Sequence, residues 1–291
     1  MENSEHLVDA PFLDMFSRLA LLLTLLIQLP VSWAKSEESR PFFAFQNGVR
    51  FSTHEKRAEA LGELGFDGIG SASFPKDGNV SAMLEAYEAR DLRVFSFYTG
   101  GSVSGEGGQP AAGLYEAIPK LKGSSVVLEI YLKGDRGKDL DEQAVAWLRE
   151  LAEKASQSGL VIALYPHTSM YIETIGDAVR LAKKVDRENV GVMFNLCHFL
   201  RIEPDADLRK ALTEARPYLQ QVSLSGADQG GRDWKALIQP LGQGSYDVRP
   251  LIEFLDEIDF RGPVGVQCFN ISGDSRVFLK QSIEAWKTLS Q

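Results

Sequence analysis

Two histidines stand in short polar segments at the ends of apolar runs, Leu164-Tyr165-Pro166-His167 and Phe194-Asn195-Leu196-Cys197-His198. Two further segments, Val222-Ser223-Leu224-Ser225 and Val266-Gln267-Cys268-Phe269, carry hydroxyls and an amide. None of the four contains a carboxylate. An imidazole acting as base beside a phenol acting as acid can abstract a proton from a carbon next to a carbonyl. His167, His198 and Tyr165 are therefore the candidate catalytic residues. Asn195, Gln267, Ser223, Glu129 and Tyr98 are the candidate substrate-binding residues. A retaining glycosidase needs two carboxyls about 5 Å apart, and Glu129 is the only good inward-facing candidate, so that chemistry is disfavoured.

The elements that must position these residues alternate along the chain. Strand-like runs cover Phe42–Gln46, Phe66–Gly70, Arg93–Tyr98, Ser125–Leu132, Leu160–Tyr165, Val190–Leu196, Gln220–Ser225 and Val264–Phe269. Amphipathic segments cover Glu55–Leu64, Val80–Arg90, Ala111–Leu121, Leu140–Ser156, Ile172–Val185, Ala206–Tyr218, Val248–Ile258 and Ser275–Leu289. The spacing of Ala144, Leu148, Leu151 and Ala155 follows the helical period. Eight strand–helix pairs in one domain-sized chain predict an α/β fold of one closed parallel (β/α)8 TIM barrel over residues 42–291. The alternative, a doubly wound open sheet, lacks its dinucleotide signature, because no Gly-x-Gly-x-x-Gly follows the first strand.

Period two then sorts the side chains. Leu160, Ile162 and Leu164 face the helices, which sends Ala163 and Tyr165 inward and leaves His167 at the rim. Gly191, Met193 and Asn195 point inward on the sixth strand, Gln221, Ser223 and Ser225 on the seventh, and Gly265 and Gln267 on the eighth. Val127, Glu129 and Tyr131 share the inner face of the fourth. The inward sets become polar toward the C-terminal strand ends, where barrels build their sites. Phe97, Tyr98 and Tyr131 stand near strand ends, where aromatics either stack on a ligand ring or simply fill the barrel. The glycine-rich loop Gly100–Pro110 reads as a mobile cover, and the loop with Asp228, Arg232 and Trp234 as a second segment over the mouth.

The chain has 291 residues and a formal net charge of −9. Arg18, the apolar run Leu19–Leu29, Pro30 and then Ser32-Trp33-Ala34 have the layout of a secretory signal peptide over residues 1–34, with Met15 a possible true start. A polar tether, residues 35–41, follows. Residues 1–34 carry four acids and one arginine, and removing them leaves 257 residues with a net charge of −6. The protein is expected to be exported, periplasmic or secreted, with no stable membrane span after cleavage. An acidic surface without Lys/Arg blocks argues against nucleic acid. Cys197 and Cys268 both lie in strand-like apolar runs and read as buried free thiols.

At these residues the chain resembles the xylose isomerase-like TIM barrels, the superfamily of sugar-phosphate isomerases and epimerases. The resemblance rests on Gly65-Phe66-Asp67-Gly68-Ile69, Tyr165-Pro166-His167, Asn189-Val190-Gly191-Val192 leading to Cys197-His198, Leu241-Gly242-Gln243-Gly244-Ser245-Tyr246-Asp247, and the run ending at Gln267. It implies a divalent ion held by two Glu, one Asp and one His, with the glutamates shuttling a proton. At the matching positions this chain has Tyr165, Asn195, Ser223 and Gln267, and Gly70 where an acid often ends the second strand. Hard cations need anionic oxygens, so the family's metal is not expected and no cofactor is assigned. A rearranged zinc site of His167 and His198 with Glu129 is the alternative. His198 matches a position that usually contacts substrate.

The resulting expectation is a carbohydrate isomerase, epimerase or lyase taking a keto-sugar or glycoside-derived small molecule. The alternative is a non-catalytic sugar-binding barrel that has lost its metal site, and a structural or partner-binding role comes third. Oligomeric state is not legible.

Overall fold

The computed structural model describes residues 40–75 and 78–290. The leader assigned to residues 1–34 and the tether up to Ser39 lie outside them. Arg40 and Pro41, placed in the tether by the sequence, belong to the barrel. Arg40 is buried and its guanidinium reaches Asp256 at 2.7 Å, while the Pro41 carbonyl accepts from the Val264 N–H.

Nine strands are described: β1 Phe42–Phe45, β2 Gly68–Ser71, β3 Arg93–Ser104, β4 Gly107–Pro110, β5 Val127–Lys133, β6 Val161–Leu164, β7 Val190–Asn195, β8 Leu219–Leu224 and β9 Val264–Val266. All but β4 run parallel, and β9 returns to β1, so eight strands close into a barrel. Its connecting helices include α1 His54–Leu64, α2 Val80–Glu88, α3 Leu114–Ala117, α4 Asp141–Gln157, α5 Ile175–Val185, α6 Leu196–Ile202, α7 Leu208–Ala215, α8 Trp234–Leu237, α9 Arg249–Glu257 and α10 Ser275–Leu289. This is the expected (β/α)8 architecture. Among the described residues no helix is long and apolar enough to cross a membrane.

Several segments differ from the sequence reading, the following three among them. The Gly100–Pro110 segment is not a loose cover: β3 continues to Ser104 and turns back as β4 in an antiparallel hairpin. At Gly108 the hairpin lies on Trp147, which leaves no room for a Cβ, and at Gly100 the Tyr131 backbone does the same. The Ala111–Leu121 helix is a single turn followed by a 3-10 turn, Ile118–Leu121, with Pro119 at its start. The run Val190–Leu196 ends one residue early because α6 begins at once, with Asn195 as its N-cap residue.

The period-two reading holds in the packing. Phe43, Phe45, Phe95, Ala163, Tyr165 and Met193 form a cluster inside the barrel, whereas Ile162, Leu164, Val192 and Phe194 join the larger core between strands and helices. The inner layer is crowded by rings: Phe43 lies 5.0 Å from both Phe45 and Phe95, centroid to centroid. Glycine is required opposite them, since a Cβ on Gly265 would stand 2.5 Å from both Phe43 and Phe45. The Gly65-Phe66-Asp67-Gly68 motif is likewise structural. Gly65 ends α1 in the left-handed conformation (φ 89°), and the Asp67 carboxylate accepts from the Phe42 N–H at 2.7 Å.

Gly265→Ala is therefore expected to destabilise the barrel by about 1–3 kcal/mol through overpacking, measured by urea denaturation. Adding Phe43→Leu should recover part of that loss, and additive losses in the double variant would show that the rings are not the obstacle.

Candidate active site

The C-terminal strand ends surround a cavity of about 320 Å³. Six of the eight predicted site residues line it: Tyr98, Glu129, Tyr165, His167, His198 and Gln267. Asn195 and Ser223 are buried but do not reach its wall. Sequence reasoning missed Phe45, Asn47, Ile238 and Phe269 on that wall, and Trp234 lines it from the first turn of α8. Phe269 sits two residues beyond the inward Gln267, a spacing that could have found it. Asn47 follows the first strand and brings a buried side-chain oxygen with no hydrogen-bond partner.

Both histidines are set by one residue. After β6 the chain turns tightly: the His167 N–H donates to the Ile172 carbonyl, the Met170 N–H to that of His167, and the Tyr171 N–H back to Leu132 on β5. The Ser169 N–H donates to Glu173, and Thr174 and Asp177 close a capping box that starts α5. Thr168 is thus held between the two imidazoles. Its carbonyl lies 2.8 Å from His167 Nδ1, and its N–H and hydroxyl lie 3.2 and 2.9 Å from His198 Nδ1.

A carbonyl can only accept and a backbone N–H can only donate, so these contacts assign the tautomers. His167 carries its proton on Nδ1 and presents a bare Nε2; His198 accepts on Nδ1 and presents Nε2–H. The rings lie 4.2 Å apart. Burial holds both imidazoles below their ordinary value, strongly for His198, where His167 and Arg201 add to the effect. At neutral pH the pair is therefore uncharged, with one nitrogen acceptor and one N–H donor.

Two further donors are oriented in the same way. Asn195 donates to the Tyr165 phenolic oxygen and accepts from Cys197 Sγ at 3.1 Å, which leaves the Tyr165 O–H to donate elsewhere. Burial above all, reinforced by Cys197, Glu129 and Tyr98, keeps that phenol protonated. Gln267 Oε1 accepts from the N–H groups of Cys268 and Phe269 at 3.1 Å each, so its amide NH₂ is free. Cys197 and Cys268 are both free, buried thiols.

Glu129 is fully buried across the barrel from Gln221, whose amide donates to its Oε1 at 2.5 Å. Glu129 Oε2, Gln221 Oε1, and the hydroxyls of Ser96 and Ser223 have no hydrogen-bond partner. Burial pushes the carboxyl up to about 7, with the Gln221 hydrogen bond pulling the other way.

The arrangement does not fit a hard divalent cation. Tyr165 is held as a phenol, the Asn195 oxygen is taken by Cys197, and the Gln267 oxygen is taken by backbone donors. Among the described residues no three of His, Cys, Asp and Glu are placed to hold an ion, the set His167, His198 and Glu129 included.

Fold and site together define a (β/α)8 barrel whose mouth is largely apolar, with a few uncharged polar groups converging on it. The sequence profile of xylose isomerase-like TIM barrels matches residues 58–289, and the chain belongs to that family. No curated protein matches the chain by sequence. Among solved structures it is similar to 3-keto-D-glucoside 4-epimerase from E. coli, at 19% identity over 86% of this chain and 99% of that one, TM-score 0.67. D-psicose 3-epimerase from Clostridium cellulolyticum, solved with D-tagatose, matches at 19% over 86% and 98%, TM-score 0.66. D-allulose 3-epimerase from Methylomonas sp., solved with D-allulose, matches at 19% over 86% and 97%, TM-score 0.69. At these identities the likeness is one of fold.

The raised Glu129 carboxyl has a measurable consequence. Between the ordinary carboxyl value and about 7 the folded state holds a proton that the unfolded chain releases, so stability falls as pH rises through that window. Glu129→Gln, which cannot ionise, is expected to exceed the parent by about 3 kcal/mol at pH 9 and to match it near pH 4. Parallel denaturation curves for the two proteins at all pH values would refute this.

Proposed function

We propose that this barrel is a carbohydrate isomerase or epimerase that acts on a keto-sugar or glycoside-derived substrate without the divalent ion of its family. The observation that carries this reading is the meeting of one imidazole acceptor and three neutral donors on a single cavity. His167 Nε2 takes the proton from the carbon next to the carbonyl. The C–H electron pair becomes the C–C double bond, and the carbonyl π pair moves to oxygen. His198 Nε2–H, Tyr165 O–H and the Gln267 amide are the donors available to that developing oxyanion. Preorganised neutral donors of this kind, aimed where charge develops, are among the strongest contributors to such catalysis. Return of the proton to the opposite face of the same carbon gives an epimer; its delivery to the former carbonyl carbon, with a hydroxyl proton moving between oxygens, gives an isomer. The names of the similar structures, epimerases of keto-sugars and keto-glucosides, support the substrate class.

Purified protein incubated with a panel of keto-sugars in D₂O is expected to exchange one carbon-bound hydrogen, followed by NMR. EDTA should leave the rate unchanged, and His167→Ala should lower kcat/KM by about 10²–10⁴. Because burial depresses His167, the acid limb of kcat/KM should fall below the ordinary imidazole value of about 6.5, activity being lost as His167 gains a proton. Saturable sugar binding with no exchange anywhere in the panel would make the protein a binding module instead. Loss of activity on chelation, restored by zinc or manganese, would overturn the metal-free mechanism.

We further propose that the protein is exported after removal of residues 1–34, on the support of the apolar run and the small residues Ser32 and Ala34. N-terminal sequencing of the extracytoplasmic product should begin at Lys35; a product retained in the cytoplasm with its leader intact would refute export.

A further inference from the structure

A second cavity, of about 510 Å³, adjoins the first, and the two share Ala72 and Tyr98 in their walls. Tyr98 stands at the boundary. On the side of the first cavity its ring lies 4.8 Å from Tyr165 and 6.3 Å from His167; toward the second it lies 5.0 Å from Tyr131. Phe74, Thr99, Ala112 and Tyr131 line the second cavity alone. The Phe74 ring is stacked on Phe97 at 4.9 Å, which fixes it as a wall. Tyr131 and Tyr98 are both half-buried. The Tyr98 hydroxyl makes no hydrogen bond among the described residues, although its ring is largely covered. Aromatic faces combined with an unspent hydroxyl suit a sugar ring, whose C–H face is apolar and whose edge is polar. The first cavity, at the lower end of the roughly 300–1,000 Å³ of ligand pockets, has room for little beyond a single sugar unit.

We infer that the second cavity is a subsite for a further sugar ring, so that the substrate is a disaccharide or larger glycoside lying across Tyr98. Its reacting keto unit lies against the histidines, and the neighbouring ring lies against Phe74 and Tyr131. This inference rests on the reading of the first cavity as a sugar site and adds the size of the ligand. Tyr98 then has a role that neither cavity alone explains: its hydroxyl is placed where the linkage between the two rings passes.

Calorimetric titration of the full protein tests the assignment, using D-fructose and D-glucose against a panel of their α- and β-linked disaccharides, including lactulose, maltulose, maltose and cellobiose. At least one disaccharide should bind tenfold or more tighter than its component monosaccharides. Ala112 is exposed on the cavity wall, and Ala112→Trp, checked for folding by its thermal transition, should bring that ratio to near one. A ratio under threefold across the panel while monosaccharides bind would overturn the subsite and leave the sugar-site reading standing. The subsite is equally overturned if folded Ala112→Trp leaves the ratio intact. If no sugar binds, both fall together.

Discussion

The proposed chemistry of this barrel depends on the backbone of Thr168. A side chain that fixes an imidazole can itself rotate, whereas a peptide group cannot exchange its donor for its acceptor. By offering C=O to one ring and N–H to the other, Thr168 makes two otherwise equivalent histidines opposite in hydrogen-bonding character. The loop that carries it is tied to β5 through Tyr171 and Leu132 and to α5 through Thr174 and Asp177. The tautomers are thus coupled to the barrel frame, not to a surface loop free to drift. Ordering of this kind costs conformational entropy, which the hydrogen bonds of the loop offset before any substrate arrives.

A cation would do several jobs at such a mouth: orient oxygens, polarise a carbonyl and lower the local cost of negative charge. Under the proposed metal-free mechanism those jobs are divided. Orientation falls to hydrogen bonds that use one end of each side chain and free the other, as Asn195 does for Tyr165 and the Cys268 and Phe269 N–H groups do for Gln267. Polarisation falls to O–H and N–H dipoles. Neutral donors are weaker than a divalent ion one by one, but Phe45, Trp234, Ile238 and Phe269 give the cavity an apolar lining. A low-dielectric surrounding strengthens each dipole and penalises an unpaired one. The same apolar shell that depresses both histidines therefore also makes their neutral forms useful.

The fold was legible because period two in the strands and the helical period between them are repeated eight times. Ala163, Tyr165, Met193 and Gly265 all lie on the inner side that alternation assigns them. What alternation could not reveal was any element shorter than its own window. The short helix Leu196–Ile202 lost its first residue to the strand before it and has no counterpart in the periodicity, and Trp234–Leu237 is hidden in a glycine-rich loop. The Gly100–Pro110 hairpin misled for a different reason. Gly101 and Gly108 answer to the Trp147 side chain packed on them, a contact made between segments about forty residues apart. The residue types of the site were legible as well, but their division of labour was not. Nothing in Tyr-Pro-His or Cys-His indicates which nitrogen carries the proton, because that is decided by a peptide group thirty residues from one of the rings.

Among the described residues, Glu129 is the carboxyl of the inner barrel that the imidazole chemistry does not use. Its position fits a second proton carrier. A single base on one face of a carbon can shift a proton between neighbouring carbons, but inversion at one carbon requires delivery from the opposite face. Glu129 projects from β5 at the level of Tyr98 and Ala163 on the strands either side, while His167 and His198 reach the cavity from the loop after β6 and from α6. All three line the same cavity. Burial holds the Glu129 carboxyl near 7, so it exchanges a proton in the range where the depressed histidines stay neutral. An imidazole base and a carboxylic acid separated in this way match the general rule that acid–base partners are made by environments that push their proton affinities apart. On the proposed mechanism, epimerisation is the outcome that would use Glu129 as well as His167.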